Sequence, residues 1–170
     1  MVAGAASLAS AQTNSGAFTV ALTGTLPESL TLNLSANAVT FNLAAGSATN
    51  AGSTTVTATT AWVLKPGRTA VKVYAYFNSA TAALTDGTNN IPSSAFKIVD
   101  NGGAAAALIN TVAFGGATAG LQLANVAITA ANRASNRSDA MAFNIDLSTL
   151  PQLPASVYLG TLNIQAQATP

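Results

Sequence analysis

The sequence predicts an all-β domain, a two-sheet sandwich of about ten short strands, and three observations carry that prediction. Apolar residues alternate with small polar ones at period two along most of the chain, β-branched and aromatic residues concentrate in those runs, and clusters of Gly, Asn, Asp, Ser and Pro interrupt them. At 170 residues the chain is long enough for one domain with a real core and no covalent staples. Periodicity alone does not separate an Ig-like strand order from a jelly roll.

In chain order, the first alternating run is Phe18, Val20 and Leu22, with Thr19, Ala21 and Thr23 on the opposite face. Leu30, Leu32 and Leu34 form the second run, and Val39, Phe41 and Leu43 the third. After the loop AAGSATNAGS come Val56, Ala58, Thr60, Trp62 and Leu64, then Lys65-Pro66-Gly67-Arg68, then Val71, Val73, Ala75 and Phe77. The Pro-Gly pair predicts a hairpin here, because Pro presets the first turn dihedral and Gly accepts a positive one. Phe96 and Ile98 precede a turn at Asn101-Gly102-Gly103, and Val112 and Phe114, then Leu121, Leu123, Val126 and Ile128, follow it. The polar segment NRASNRSD reads as a loop, after which Met141, Phe143, Ile145 and Leu147 alternate cleanly. The last strand places Tyr158, Leu162, Ile164 and Ala166 on one face. No helix of useful length is expected; AAAALIN is flanked by Gly-Gly and a β-like TVAF, leaving room for a single turn.

Composition narrows the function classes. Cys and His are absent, which removes thiol nucleophiles, the usual zinc ligands and the ordinary proton shuttle. Only 6% of residues are charged and the net charge is +1, so a nucleic-acid footprint of Lys and Arg is missing and copies of the chain repel one another little. Mean hydropathy is +0.40, but this comes from Ala. The most continuous apolar stretch, AAAALI at 104–109, is far short of a membrane-spanning helix.

The five acids, Glu28, Asp86, Asp100, Asp139 and Asp146, show no spacing that suggests a catalytic pair. Asp86 in TDGTNN and Asp100 in DNGG sit where Asp ordinarily opens a turn. A calcium site from Asp86, Asn89, Asn90 and Asp100 would need six to eight oxygens on a preformed loop, and no such spacing is present. Arg133 and Arg137 in NRASNRSD suit a bidentate contact with an acidic sugar or a partner carboxylate, but a solvated inter-strand loop is the preferred reading of the segment. Trp62, Tyr74, Tyr76 and Phe77 are expected in the core or at its rim, with an exposed sugar-stacking platform as the alternative. The expected inventory is therefore no catalytic residue, no metal and no cofactor.

Residues 1–11 end on Ala9-Ser10-Ala11, the small-x-small pattern before a secretory cleavage site, and are read as the back half of a signal peptide or a disordered tail. Residues 12–25 are assigned to an N-terminal strand and 26–170 to the sandwich domain. The expected location is secreted or at the cell surface.

The segment VKVYAYFNSATAALTDGTNNIPSSAFKI at 71–98 resembles fimbrial subunits of the chaperone-usher class, in the alpha or archaic branches that include spore-coat-U-like proteins. ASVYLGTLNIQAQA at 155–168 is similar to their "Y-x-G-x-L-x-I" terminal strand, with Tyr158, Gly160, Leu162 and Ile164 in place, and Phe18 to Leu34, with its GTLPESLTLNLS, can be laid on their N-terminal extension plus first strand. The resemblance implies an incomplete Ig-like sandwich whose groove is filled by the N-terminal segment of a neighbouring copy, with Phe18, Val20 and Leu22 meeting a surface that includes Tyr158, Leu162 and Ile164. It further implies a homopolymer served by a periplasmic chaperone and an outer-membrane usher. Residues 18–22 pairing within their own domain as its first strand remain the plain alternative, and a monomeric binding module for a polysaccharide or surface partner is the other function class.

Overall fold

The computed structural model describes residues 13–114 and 120–170; the proposed signal remnant at 1–11 lies outside them. The architecture is all-β and sandwich-like. Eleven strands are found among the described residues: β1 (Ser29–Leu34), β2 (Asn50–Ala51), β3 (Val56–Val63), β4 (Ala70–Tyr76), β5 (Leu84–Thr85), β6 (Asn90–Ile91), β7 (Phe96–Asp100), β8 (Ala105–Ala107), β9 (Leu121–Ala127), β10 (Ala134–Ile145) and β11 (Asn163–Thr169). A single 3-10 turn at Ser93–Ala95 is the only helical element described.

One sheet runs β1-β3-β10-β7-β8, with β2 paired to the end of β10; the second runs β11-β4-β9, and β5 with β6 makes a small separate hairpin. Every ladder is antiparallel. The core between the sheets takes alternate residues from each strand: Val56 and Ala58 from β3, Val73 and Ala75 from β4, Ile98 from β7, and Met141, Phe143 and Ile145 from β10. Phe96 sits amid three other rings, edge-on to Phe77 and Phe41 at centroid distances of 5.1 and 5.8 Å and tilted against Phe143 at 5.7 Å. Trp62, Leu64 and Val71 form a second, smaller cluster at one end, and the Trp62 indole N–H donates to the Asn132 carbonyl at 2.8 Å.

The expected 56–77 hairpin is corrected by the topology. The Pro66-Gly67 turn forms, with Gly67 at φ +97°, but it carries the chain from one sheet to the other, so β3 and β4 face each other across the core. Alternation shows which face is buried, and two strands in opposite sheets bury their faces just as a hairpin does.

NRASNRSD is likewise no loop: from Ala134 onward it is the first half of β10, paired residue by residue with β3. Here Arg137 and the fully buried Asp139 form an ion pair on the strand, and the Asn101 amide donates to Asp139 at 2.9 Å. The AAAALIN segment contributes β8 instead of a helical turn. The third expected run keeps only an isolated bridge, Phe41 to Gly52, and Val112 and Phe114 belong to no named strand. In β9 the inward residues shift phase after Leu123, because a bulge opposite Val73 and Tyr74 adds one residue.

Candidate functional site

Residues 13–28 run to the start of β1 with no strand of their own. Phe18 is 96% exposed, Val20 81% and Leu22 91%, and the segment makes no ladder with its own domain, as the plain alternative would have required. Alternating apolar side chains on a path that makes no ladder hydrogen bond leave both the side chains and the backbone groups open to another sheet edge.

Two such edges lie near the beginning and the end of the described domain. β1 is paired only to β3 and β11 only to β4, which leaves one side of each strand without a partner among the described residues. Their Cα atoms approach within 8 Å of one another, but no ladder joins them. Apolar half-buried residues line this gap: Leu32 from β1 with Ile164 and Ala166 from β11 pack on the main core, while Leu30 and Ala168 pack on the Trp62 cluster. Leu34 stands 44% exposed at the far end. Both edges carry no charged side chain, so neither has the usual defence against edge-to-edge pairing.

Strand direction follows from one end of the gap. Ser29 at the start of β1 is opposite Val63, and Thr169 at the end of β11 is opposite Ala70. The β3–β4 connection links those partners, so β1 leaves the end of the sandwich that β11 enters and the two edges run antiparallel. Arg68 in that connection holds the end together: its Nε and Nη2 donate to the two Glu28 carboxylate oxygens at 2.8 and 3.0 Å, and its Nη1 donates to the Ala168 carbonyl at 3.4 Å. The Arg68 hydrogen bonds hold the Glu28 carboxyl below the usual carboxylate range. The Thr169 carbonyl accepts from Thr69 N–H on the β4 side; the preceding carbonyl, Ala168, points the opposite way, toward the free edge.

The remaining predicted residues are partly assembled. Leu162 and Ile164 pack on the main core, and Tyr158 joins them from an irregular segment before β11, its hydroxyl donating to the Pro154 carbonyl at 2.9 Å. Tyr158 therefore shares their surface without belonging to the strand. Phe18, Val20 and Leu22 are not brought to this surface within the chain.

No family model, curated protein or solved structure matches the chain.

Other chemistry is sparse. No group of three or more His, Cys, Asp or Glu that could hold a metal occurs among the described residues, and none of their helices is long and apolar enough to cross a membrane. Asp86 caps its own turn, accepting from Thr88 and Asn89 N–H at 2.9 and 2.6 Å. Asp100 instead stands beside Asp139, where burial first and that neighbouring charge second push its carboxyl up. Neither Glu28 nor Arg68 stood out in the sequence, because a contact between positions 28 and 68 depends on the crossover between sheets.

Proposed function

We propose that this chain is a secreted structural subunit of an extracellular filament or surface coat, without a catalytic role, which assembles when residues 18–22 of one copy add to the free edge of β11 in the next. One observation carries the reading: an apolar, alternating, unpaired arm occurs in the same molecule as an uncharged, unpaired strand edge over half-buried apolar residues. Strand addition joins the two needs, since main-chain hydrogen bonds satisfy both edges while Phe18, Val20 and Leu22 are buried alongside Ile164 and Leu162. Burial of those three side chains supplies roughly 1.5–3 kcal/mol each before ordering costs. The low charge supports dense packing of copies. A periplasmic chaperone that covers the edge before assembly and an outer-membrane usher complete this reading.

The test is a titration. A chain lacking residues 13–25 is mixed with a synthetic peptide of residues 13–25, and binding is followed by anisotropy. Saturable binding that disappears when Phe18, Val20 and Leu22 in the peptide become Ser is expected; a peptide that does not bind sinks the reading.

A second reading, a binding module for a neutral polysaccharide, rests on the outer face of β11-β4-β9. Tyr74 and Tyr76 are half-buried there, their hydroxyls donating to Gln122 at 3.0 Å and Gln165 at 3.3 Å. Glycan affinity lost in Tyr74→Ala and Tyr76→Ala would favour it.

A further inference from the structure

Strand addition between copies, the reading on which this inference rests, meets a competitor inside each molecule. The arm is tethered to its own β1 by residues 23–28 alone, and so short a flexible tether gives a local concentration of roughly millimolar, about a thousandfold above a micromolar solution of other copies. An arm free to fold back would therefore cap its own edge and stop assembly. We propose that Arg68 and Glu28 form a gate that closes the β1–β11 gap at the end from which the chain's own arm must enter, so that only the arm of another copy, arriving from the opposite end, can fill it.

The geometry that supports the gate has three parts. The first is direction. The arm joins β1 at Ser29, at the end where the Arg68 connection lies. To lie beside its own β1 it must reverse there and run antiparallel to β1, hence parallel to β11. An arm that comes from the far end, beside Leu34 and Asn163, runs antiparallel to β11, the edge it adds to, and parallel to β1, so the two entry directions are opposite and each uses a different end of the gap. Its own tether then stays outside the far end.

The second part is occupation of the near end. Arg68 reaches from Glu28 to the Ala168 carbonyl, which belongs to the free edge of β11, and so occupies the crossing point and one of the acceptors that a reversed arm would use. The third is the path of the tether. Leu26, Pro27 and Glu28 line a surface pocket of about 230 Å³ together with Val63 of β3 and Leu64, Lys65 and Pro66 of the β3–β4 connection, with Leu26 still 81% exposed. The Lys65 N–H also donates to Glu28 at 3.4 Å, a second tie between the tether and the β3–β4 connection.

Because the chain has no Cys, the gate can be read by a disulfide. Val20→Cys and Ala166→Cys are combined in one chain, in backgrounds with the gate intact, with Glu28→Gln, with Arg68→Gln, and with the exchanged pair Glu28→Arg/Arg68→Glu. Non-reducing gels then give the ratio of internal to inter-chain disulfide at micromolar protein. The intact background is expected to give inter-chain ladders, and each of the three altered backgrounds to raise the internal fraction about tenfold or more, the exchanged pair included, because Glu at position 68 cannot donate to the Ala168 carbonyl. Equal ratios in all four backgrounds would overturn the gate while leaving strand addition in place. If the intact background forms no inter-chain disulfide, strand addition itself falls and the gate with it.

Discussion

Replacing Phe18, Val20 and Leu22 together by Ser separates folding from assembly, because the structure assigns the three side chains no role in their own domain. At 96, 81 and 91% exposure they have almost no buried area to lose. The triple variant should unfold within about 0.5 kcal/mol of the parent, as substitutions at exposed sites do. Had the same residues been packed as a first strand, their removal would cost roughly 1.5–3 kcal/mol each, or about 4.5–9 kcal/mol together. Urea unfolding of dilute monomer distinguishes the two: with a slope of about 2 kcal/mol per molar, an exposed arm moves the midpoint by about 0.25 M at most, and a packed one by about 2 M or more. The same variant should fail to bind an arm-deleted partner. A midpoint shift of about 1 M or more would refute the reasoning, since it would place the arm against its own domain.

Three other substitutions probe the frame that holds the edges. Phe96→Ala removes the ring shared by Phe41, Phe77 and Phe143 and should cost about 3–5 kcal/mol in chemical denaturation. Thr60→Val should stabilise the domain by about 1 kcal/mol, because the fully buried Thr60 hydroxyl has no hydrogen-bond partner; a loss in thermal midpoint would contradict this. Asp100→Asn should stabilise at neutral pH by an amount that shrinks in acid. The Asp100 carboxyl is pushed above its ordinary value of 3.8 in the fold, so the native state holds that proton more tightly, and the stability difference closes as pH falls through the raised value toward 3.8. Midpoints of parent and variant measured from pH 7 to pH 3 give the comparison.

The all-β class and most strand positions are legible in the sequence because burial on one face leaves a period of two, as in Val56 to Trp62 and Met141 to Ile145. Partnership is not legible in the same pattern. Val56 to Leu64 and Val71 to Phe77 read as a hairpin, since neither alternation nor the Pro66-Gly67 turn records which sheet a strand enters. The front half of β10 is hidden for a different reason: Arg137 neutralises Asp139 within the strand, so a buried position carries a charge and the segment reads as a loop. Phe18, Val20 and Leu22 show the limit most clearly. Their alternation advertises a face to be buried, while whether their own domain buries it depends on whether the chain turns back at Pro27 and Glu28, which is a matter of tertiary contacts with Arg68.

In the proposed assembly the unpaired arm of one copy completes the unpaired edge of another. Electron microscopy of the purified full chain at high concentration, beside the Phe18→Ser/Val20→Ser/Leu22→Ser variant, tests it most directly. Strand addition predicts filaments or linear oligomers of the parent, heat-sensitive as a ladder on gels, and dispersed monomers of the folded variant. A parent that stays monomeric at every concentration, or a variant that assembles as the parent does, would contradict it.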